Sequence, residues 1–183
     1  MEPLIPKILT LNETLKKAKF PFAFGGAISL AFCVDQPRAT ADLDINIFVG
    51  VDDVDKLLLI LPKDIKVSRG KANTLKRDGQ VRLSWGDAPI DLFLNTHDFH
   101  TAVAKRIYEA DFVGTKIPVL ACEDLTVFKA FFARTKDWAD IEEMIRSRSI
   151  DPSQAYKQLC RLFGADHENV KTYCIMFQKV INE

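Results

Sequence analysis

The sequence lacks a net charge and a long apolar run, and each absence argues against a class of protein. Its 25 lysines and arginines balance 25 aspartates and glutamates, so the whole molecule has no field that attracts polyanions. It contains no run of about 18 apolar residues, so we expect no membrane-spanning helix. Charged residues interrupt the first apolar stretch, so we also expect no signal peptide.

Cysteine is scarce and widely spaced. The four cysteines are Cys33, Cys122, Cys160 and Cys174, and no Cys-x-x-Cys pair occurs. Because each has apolar neighbours, the pattern predicts buried free thiols rather than a metal or redox site. Unpaired cysteines are typical of a reducing compartment, which predicts a cytoplasmic protein.

The hydrophobic pattern changes character near residue 121. Before it, short apolar strands alternate with helices, whereas helix-forming residues dominate from Cys122 onward. We therefore predict an α/β core over residues 1–121 and a helical region over residues 122–183. Within the core we expect strands near residues 22–24, 43–49 and 89–94, and a hairpin turn at Asp78-Gly79 that follows a lysine-rich strand.

Three aspartates lie in or beside the predicted strands. Asp42 and Asp44 precede an apolar run, and Asp91 interrupts a later one. Residues i and i+2 of a strand share a face, so Asp42 and Asp44 project side by side and favour a cation between them. Mg²⁺ takes such oxygen ligands, and Asp91 would complete a site for two ions if the strands are neighbours. The alternative is a set of charged residues that face solvent.

A glycine pair, Gly25-Gly26, joins a short strand to a predicted helix. Such a turn can present backbone N–H groups to an anion, although a tight turn without a ligand is the alternative. The spacing is neither that of a P-loop nor that of the dinucleotide-binding fingerprint. Combined with the aspartates, the glycines predict a triphosphate held by backbone amides, with metal ions bridging its oxygens.

These motifs resemble the DNA polymerase β-type nucleotidyltransferase superfamily. The residues that carry the resemblance are Gly25, Gly26, Arg38, Thr40, Asp42, Asp44 and Asp91. The Arg-x-Thr-x-Asp-x-Asp pattern is most similar to the abortive-infection (AbiEii-type) and related bacterial nucleotidyltransferases. Their helical region typically opens with Glu-Asp-Leu and carries a lysine followed by Lys-Asp. Here the corresponding residues are Glu123-Asp124-Leu125, Lys129 and Lys136-Asp137.

The resemblance implies a fold and a set of site residues. The fold would be α/β (α+β), a nucleotidyltransferase-like mixed sheet flanked by helices and followed by a C-terminal helical region. Asp42, Asp44 and Asp91 would bind Mg²⁺ or Mn²⁺, and Gly25 and Gly26 would hold the triphosphate of an NTP. Lys129 would reach a phosphate or the acceptor. Arg38 and Thr40 would orient the aspartate loop or contact phosphate, and we favour the orienting role.

The resemblance also implies an activity, the Mg²⁺-dependent transfer of a nucleoside monophosphate from an NTP to an acceptor hydroxyl with release of pyrophosphate. The resemblance does not identify the acceptor, which is an RNA 3′ end such as that of tRNA, a protein or a small molecule. A cognate antitoxin is an expected partner. We expect no association with a membrane. The alternative function is a catalytically idle nucleotide-binding or antitoxin-like interaction domain.

One further stretch bears on partners. Residues 63–82 contain seven lysines and arginines against two aspartates. This local excess of positive charge would steer a nucleotide or an RNA end toward the site. The alternative is a solvated hairpin whose lysines protect a sheet edge.

Overall fold

The computed structural model describes residues 3–182 and divides them into two compact units. The first unit contains the described residues up to Ile28 together with Ala39–Leu120. The second contains Ser29–Arg38 and the described residues from Ala121 onward. The domains expected from the sequence, 1–121 and 122–183, stay a prediction.

A seven-stranded mixed sheet forms the centre of the first unit. Its strands are β1 (Phe22–Phe24), β2 (Leu43–Ile47), β3 (Ile65–Lys66), β4 (Gln80–Trp85), β5 (Ala88–Leu94), β6 (Tyr108–Phe112) and β7 (Thr115–Val119). They are arranged in the order β3-β4-β5-β2-β1-β7-β6. The pairs β2–β5 and β1–β7 are parallel, and the remaining neighbours are antiparallel. The predicted mixed α/β fold is therefore confirmed.

The helices of the first unit are α1 (Leu4–Lys17), α3 (Val54–Ile60), which follows a 3₁₀ turn at Val51–Asp53, α4 (Arg69–Asp78) and α5 (Asp98–Val103). The short helix α2 (Gly26–Leu30) starts in the first unit and ends in the second. Helix α1 buries Ile8, Leu11 and Leu15, which recur at the spacing of one helical face.

Strand β5 shows how the sheet separates apolar from polar side chains. Ile90, Leu92 and Leu94 are buried, whereas Asp91 and Phe93 on the opposite face are only partly covered. Because side chains alternate along a strand, the apolar set packs into the core while the other face is left for polar groups. Asp91, which the sequence analysis predicts to bind metal, lies on that second face.

The prediction of a hairpin turn at Asp78-Gly79 is wrong. The preceding residues form α4, and the Ser68 side chain caps it by accepting a hydrogen bond from the Lys71 N–H at 3.2 Å. Gly79 ends the helix with a φ of 68°. Asp-Gly is compatible with either structure, because a hairpin turn and a helix C-terminus both need a residue with positive φ. The hairpin of this region instead joins β4 to β5.

Four helices make up most of the second unit: α6 (Cys122–Phe132), α7 (Thr135–Arg146), α8 (Pro152–Phe163) and α9 (Glu168–Asn182). Leu125, Met144, Leu159 and Tyr173 are buried among them. The Tyr173 hydroxyl donates to the Pro152 carbonyl at 3.1 Å, so a buried polar tip finds a partner at the start of α8. The predicted C-terminal helical region is confirmed.

The prediction of four buried free thiols is wrong. Cys33 and Cys122 form a disulfide within the second unit, with their Cα atoms 5.7 Å apart. Cys160 and Cys174 are free, but both are partly exposed. Cysteines far apart in sequence give no local sign of pairing, so only the folded chain reveals that two of them meet.

Among residues 3–182, no helix combines the length and the apolar character that crossing a bilayer requires.

Candidate functional site

A row of three charged residues crosses the sheet of the first unit. Arg82 of β4 lies directly opposite Asp91 of β5, and Asp91 lies directly opposite Asp44 of β2. Residues that are directly opposite on neighbouring strands project from the same face. Strands β2 and β5 are thus neighbours, which is the arrangement that a shared site for Asp44 and Asp91 requires.

Asp42 joins this row through the Arg82 guanidinium. The guanidinium donates to both Asp91 carboxylate oxygens, from Nε to Oδ1 at 2.8 Å and from a terminal nitrogen to Oδ2 at 2.5 Å. The same terminal nitrogen lies 3.7 Å from an Asp42 carboxylate oxygen. The hydrogen bond with Asp91 raises the pKa of Arg82, and the charges of Asp91, Asp42 and Asp44 act in the same direction. One guanidinium therefore binds Asp91 and lies close to Asp42.

Sequence reasoning missed Arg82 as a site residue, since it treated the residue only as one of seven basic residues in a charged stretch. A usable signal did exist. Gly86-Asp87 forms the turn between β4 and β5, and counting outward from it places Arg82 opposite Asp91. The mistaken hairpin at Asp78-Gly79 hid that pairing.

The glycine pair lies against the aspartate strand. Gly25 donates its N–H to the Asp44 carbonyl at 2.8 Å, so this amide is already paired with the protein. A Cβ atom on Gly26 would overlap the Asp44 carboxylate, and the φ of Gly26 is +51°. The structural reason for Gly26 is thus the close approach of backbone to Asp44. That Gly25 and Gly26 hold a triphosphate stays a prediction.

Asn46 is a second polar residue that sequence reasoning missed. It lies on the same face of β2 as Asp44 and is only 4% exposed. A Cβ atom on Gly25 would lie 2.8 Å from its Nδ2 atom. Its Oδ1 atom has no hydrogen-bond partner among the described residues. A buried amide with an open acceptor beside the carboxylates is an unusual feature, because such groups are normally paired.

Thr40 lies in the loop before β2 and orients Asp42. Its hydroxyl oxygen accepts a hydrogen bond from the backbone N–H of Asp42 at 3.1 Å. This is the local turn that threonine forms with the residue two positions later. That Thr40 orients the aspartate loop for function stays a prediction.

Arg38 belongs to the second unit, and there it pairs with Asp140. Its Nε atom lies 3.0 Å from one Asp140 oxygen, and a second guanidinium nitrogen lies 3.0 Å from the other. Lys129 donates to the same carboxylate at 2.6 Å. Burial alone would raise the pKa of Asp140, but the hydrogen bonds from Arg38 and Lys129 hold it below its ordinary value.

Lys129 is buried in this network, with 4% of its side chain exposed. Its Nζ atom also lies 3.9 Å from Asp137, whose carboxylate accepts a hydrogen bond from Arg134 at 2.6 Å. Buried charges are tolerated when they are paired, so the network accounts for a lysine inside a helical bundle. The catalytic role expected for Lys129 stays a prediction.

The donor chemistry of the carboxylate cluster suits a divalent cation. Asp42, Asp44 and Asp91 supply only oxygen, the ligand that Mg²⁺ prefers, and the cluster already attracts a positively charged group. In the described part of the chain, however, no three acidic, histidine or cysteine side chains are arranged to hold a metal ion as they stand. That Asp42, Asp44 and Asp91 bind Mg²⁺ therefore stays a prediction.

A groove with basic residues adjoins the row, and we call it the basic groove. It has a volume of about 280 Å³, and Arg82 contributes to its wall. Its other lining residues are Lys66, Lys71, Leu83, Ser84, Asp87 and Pro89. The local excess of positive charge between residues 63 and 82 is therefore partly gathered at one concave surface.

Comparison with solved structures places the fold in the nucleotidyltransferase class. A nucleotidyltransferase-like antigenic protein from Paracoccidioides brasiliensis matches with a TM-score of 0.52 and 16% identity, covering 92% of each chain. The lincosamide antibiotic adenylyltransferase LnuA matches with a TM-score of 0.52 and 18% identity, over 79% of this chain and 96% of that one. The antibiotic-resistance factor ANT(2'')-Ia matches with a TM-score of 0.51 and 15% identity, over 98% and 91%.

The family follows from the sequence. The family model described as "Nucleotidyl transferase AbiEii toxin, Type IV TA system" matches residues 11–182, almost the whole chain. The protein therefore belongs to the AbiEii nucleotidyltransferase toxin family, as its glycine and aspartate motifs indicated. No curated protein matches the sequence.

Proposed function

We propose that this protein transfers a nucleoside monophosphate from an NTP to an acceptor hydroxyl and releases pyrophosphate in a Mg²⁺-dependent reaction. The observation that carries the proposal is the strand register, which sets Asp44 opposite Asp91 with Asp42 two residues before it. A nucleotidyltransferase family, two carboxylates on one face of the sheet and a third in the adjoining loop together support this reaction.

Asp42, Asp44 and Asp91 would hold the metal, while the rest of the unit fixes their positions. Bound Mg²⁺ would supply charge stabilisation at the triphosphate oxygens. The paired strands keep Asp44 and Asp91 in register, and the Thr40 hydroxyl holds the backbone of Asp42. Because Gly26 has no side chain, its backbone can lie close to the Asp44 carboxylate. Such rigid positioning is the main contribution a protein makes to phosphoryl-group displacement.

The acceptor and the partners belong to the proposal as well. The basic groove supports an acceptor that carries phosphate, such as an RNA 3′ end or tRNA, over a neutral one. A protein or a small molecule is the other possibility, and two of the structural neighbours are named for antibiotics. The family description supports a cognate antitoxin as partner. A cytoplasmic location fits the use of NTPs. Because Cys33 and Cys122 are paired, unpaired cysteines no longer support that location.

Radiolabel transfer tests the activity. Purified protein is incubated with each α-labelled NTP, Mg²⁺ and a cell extract, and labelled RNA, protein and small molecules are separated. We expect Asp42→Asn and Asp91→Asn to reduce labelling at least about 100-fold, because each loses a carboxylate that holds the metal. Asp64→Asn is the matched control, since Asp64 is an exposed aspartate of the same unit outside the cluster. Labelling that survives Asp42→Asn would reject the assigned site.

The alternative, an idle nucleotide-binding or antitoxin-like domain, predicts a different result. Calorimetry would then detect Mg²⁺-dependent NTP binding, while no NTP and no acceptor fraction gave a labelled product. Transfer of label in the first experiment would exclude that alternative.

A further inference from the structure

Arg82 lies among the carboxylates at which the proposed function needs a metal ion. We propose that Arg82 is a resident counter-ion of this cluster, which competes with the divalent metal for Asp91 and Asp42 and must leave before the metal can bind. This inference rests on the proposed metal site and concerns how that site is controlled.

The first argument is the geometry of the Arg82–Asp91 pair. Two parallel hydrogen bonds engage both Asp91 oxygens, at 2.8 and 2.5 Å. A fork of this kind is the strongest form of arginine–carboxylate contact. Because the guanidinium is directed at the same oxygens that a metal would need, Asp91 cannot serve both cations in this arrangement.

The second argument is charge. The guanidinium nitrogen nearest to Asp91 is also 3.7 Å from an Asp42 carboxylate oxygen. The positive charge of Arg82 therefore neutralises part of the negative charge of both aspartates. Unneutralised carboxylates this close would repel one another, and the cation relieves that repulsion in the metal-free protein. Once a divalent ion occupies the cluster, the same guanidinium is repelled by it. The two cations therefore exclude each other.

The third argument is that Arg82 is able to move. Its side chain is 54% exposed, although the Asp91 side chain is only 17% exposed. Withdrawal would thus uncover little apolar surface, since the guanidinium is already in contact with water. In this proposal the side chain would turn toward the basic groove, to whose wall Arg82 already contributes. The carboxylates stay with the strands while the arginine leaves.

Metal affinity is the direct test, and it needs neither NTP nor acceptor. Binding of Mn²⁺ is followed by the loss of its free-ion electron paramagnetic resonance signal in the wild type, Arg82→Gln and Arg82→Lys. We expect Arg82→Gln to bind Mn²⁺ about three- to tenfold more tightly, given the modest strength of a partly exposed ion pair. Arg82→Lys keeps the charge but loses the fork, so it should fall between the two.

Arg77→Gln is the matched control. Arg77 pairs with its neighbour Asp78 on the surface of the same unit. Its substitution by glutamine removes the same positive charge as Arg82→Gln does. We expect its Mn²⁺ affinity to equal that of the wild type. An equal gain in Arg77→Gln and Arg82→Gln would overturn the proposal, because net charge alone would then explain the effect.

Thermal unfolding gives a second readout. Without metal, Arg82→Gln should melt at a lower temperature than the wild type, and saturating Mn²⁺ should raise its melting temperature by more. If the wild type binds Mn²⁺ and Arg82→Gln binds it equally or more weakly, the counter-ion proposal fails while the proposed function stands. If no variant binds Mn²⁺, both fail. Should Arg82→Gln not fold, the comparison of Arg82→Lys with the wild type decides.

Discussion

Among single residues, Gly26 has little freedom to change. Its φ is +51°, and a Cβ atom there would overlap the Asp44 carboxylate. Two costs therefore coincide at one position, a backbone conformation that disfavours side chains and a steric clash with a proposed metal ligand.

Gly26→Ala should destabilise the protein by about 3 kcal/mol or more in urea unfolding, because backbone strain and the clash add. Gly114→Ala separates the two effects, since Gly114 has a φ of +76° but nothing within 4 Å of its added Cβ atom. We expect about 1–2 kcal/mol for that variant. Equal losses in both variants would show that Asp44 moves aside without cost.

Asp140 is the residue whose ionisation should matter most for the stability of the second unit. It is 5% exposed and bonded to Arg38 and Lys129, which hold its pKa below the ordinary value. A group whose pKa is lowered by folding stabilises the native state at pH values above its unfolded pKa, about 3.9 for aspartate. That contribution is lost as the pH falls toward the lowered value.

Asp140→Asn should therefore cost about 3 kcal/mol at pH 7, because it leaves a buried lysine without its nearest counter-charge. The difference in unfolding free energy between wild type and variant should shrink below about pH 4. Urea unfolding at a series of pH values measures this, with the exposed Asp64→Asn as a control whose difference stays small. A cost that did not change with pH would contradict the assigned ion pair.

Among the elements, α4 illustrates how an ambiguous signal is resolved. Asp-Gly predicts a hairpin when strands flank it and a helix end when a helix precedes it. Here the Ser68 cap and the left-handed Gly79 enclose a helix of ten residues. The strand that follows α4 is β4, which pairs with β5 and places Arg82 opposite Asp91.

Ser68→Ala should lower the free energy of unfolding by about 1 kcal/mol, the usual cost of removing a helix N-cap. Ser84→Ala serves as its control, because Ser84 is an exposed serine in β4 and caps no helix. Chemical denaturation of the two variants makes the comparison. If both cost the same small amount, the stretch after Ser68 does not depend on a helix cap.

For the whole molecule, the disulfide is the covalent link that composition did not reveal. It joins residues separated by 89 positions in the sequence, both within the second unit. A link across so long a loop restricts the unfolded chain and so favours folding.

Reduction, or Cys33→Ser, should lower the free energy of unfolding by roughly 2–4 kcal/mol. Cys160→Ser removes a free thiol and should have a smaller effect. Thiol titration of the denatured protein, before and after reduction, counts the cysteines directly. Two reactive thiols before reduction would agree with the structure, whereas four would support the free thiols predicted from the sequence.

The sequence by itself determined the local features of the candidate site. A period of two in a strand predicts that Asp42 and Asp44 share a face, although β2 begins only at Leu43, and the glycine pair predicts a turn between strand and helix. The helical C-terminal region could likewise be predicted, because apolar spacing within a helix is a local property. Motif order was enough to indicate the family that the comparison then showed.

Only the tertiary structure decided which distant groups meet. The pairing of Asp44 with Asp91 and the Cys33–Cys122 disulfide join residues far apart in the chain. The fork of Arg82 on Asp91 and the pairing of Lys129 with Asp140 join residues of neighbouring elements. No periodicity encodes such contacts, because the register of strands and the packing of helices depend on the free energy of the whole core. The sequence therefore predicts the ligands of the site, and the fold decides which cation they hold.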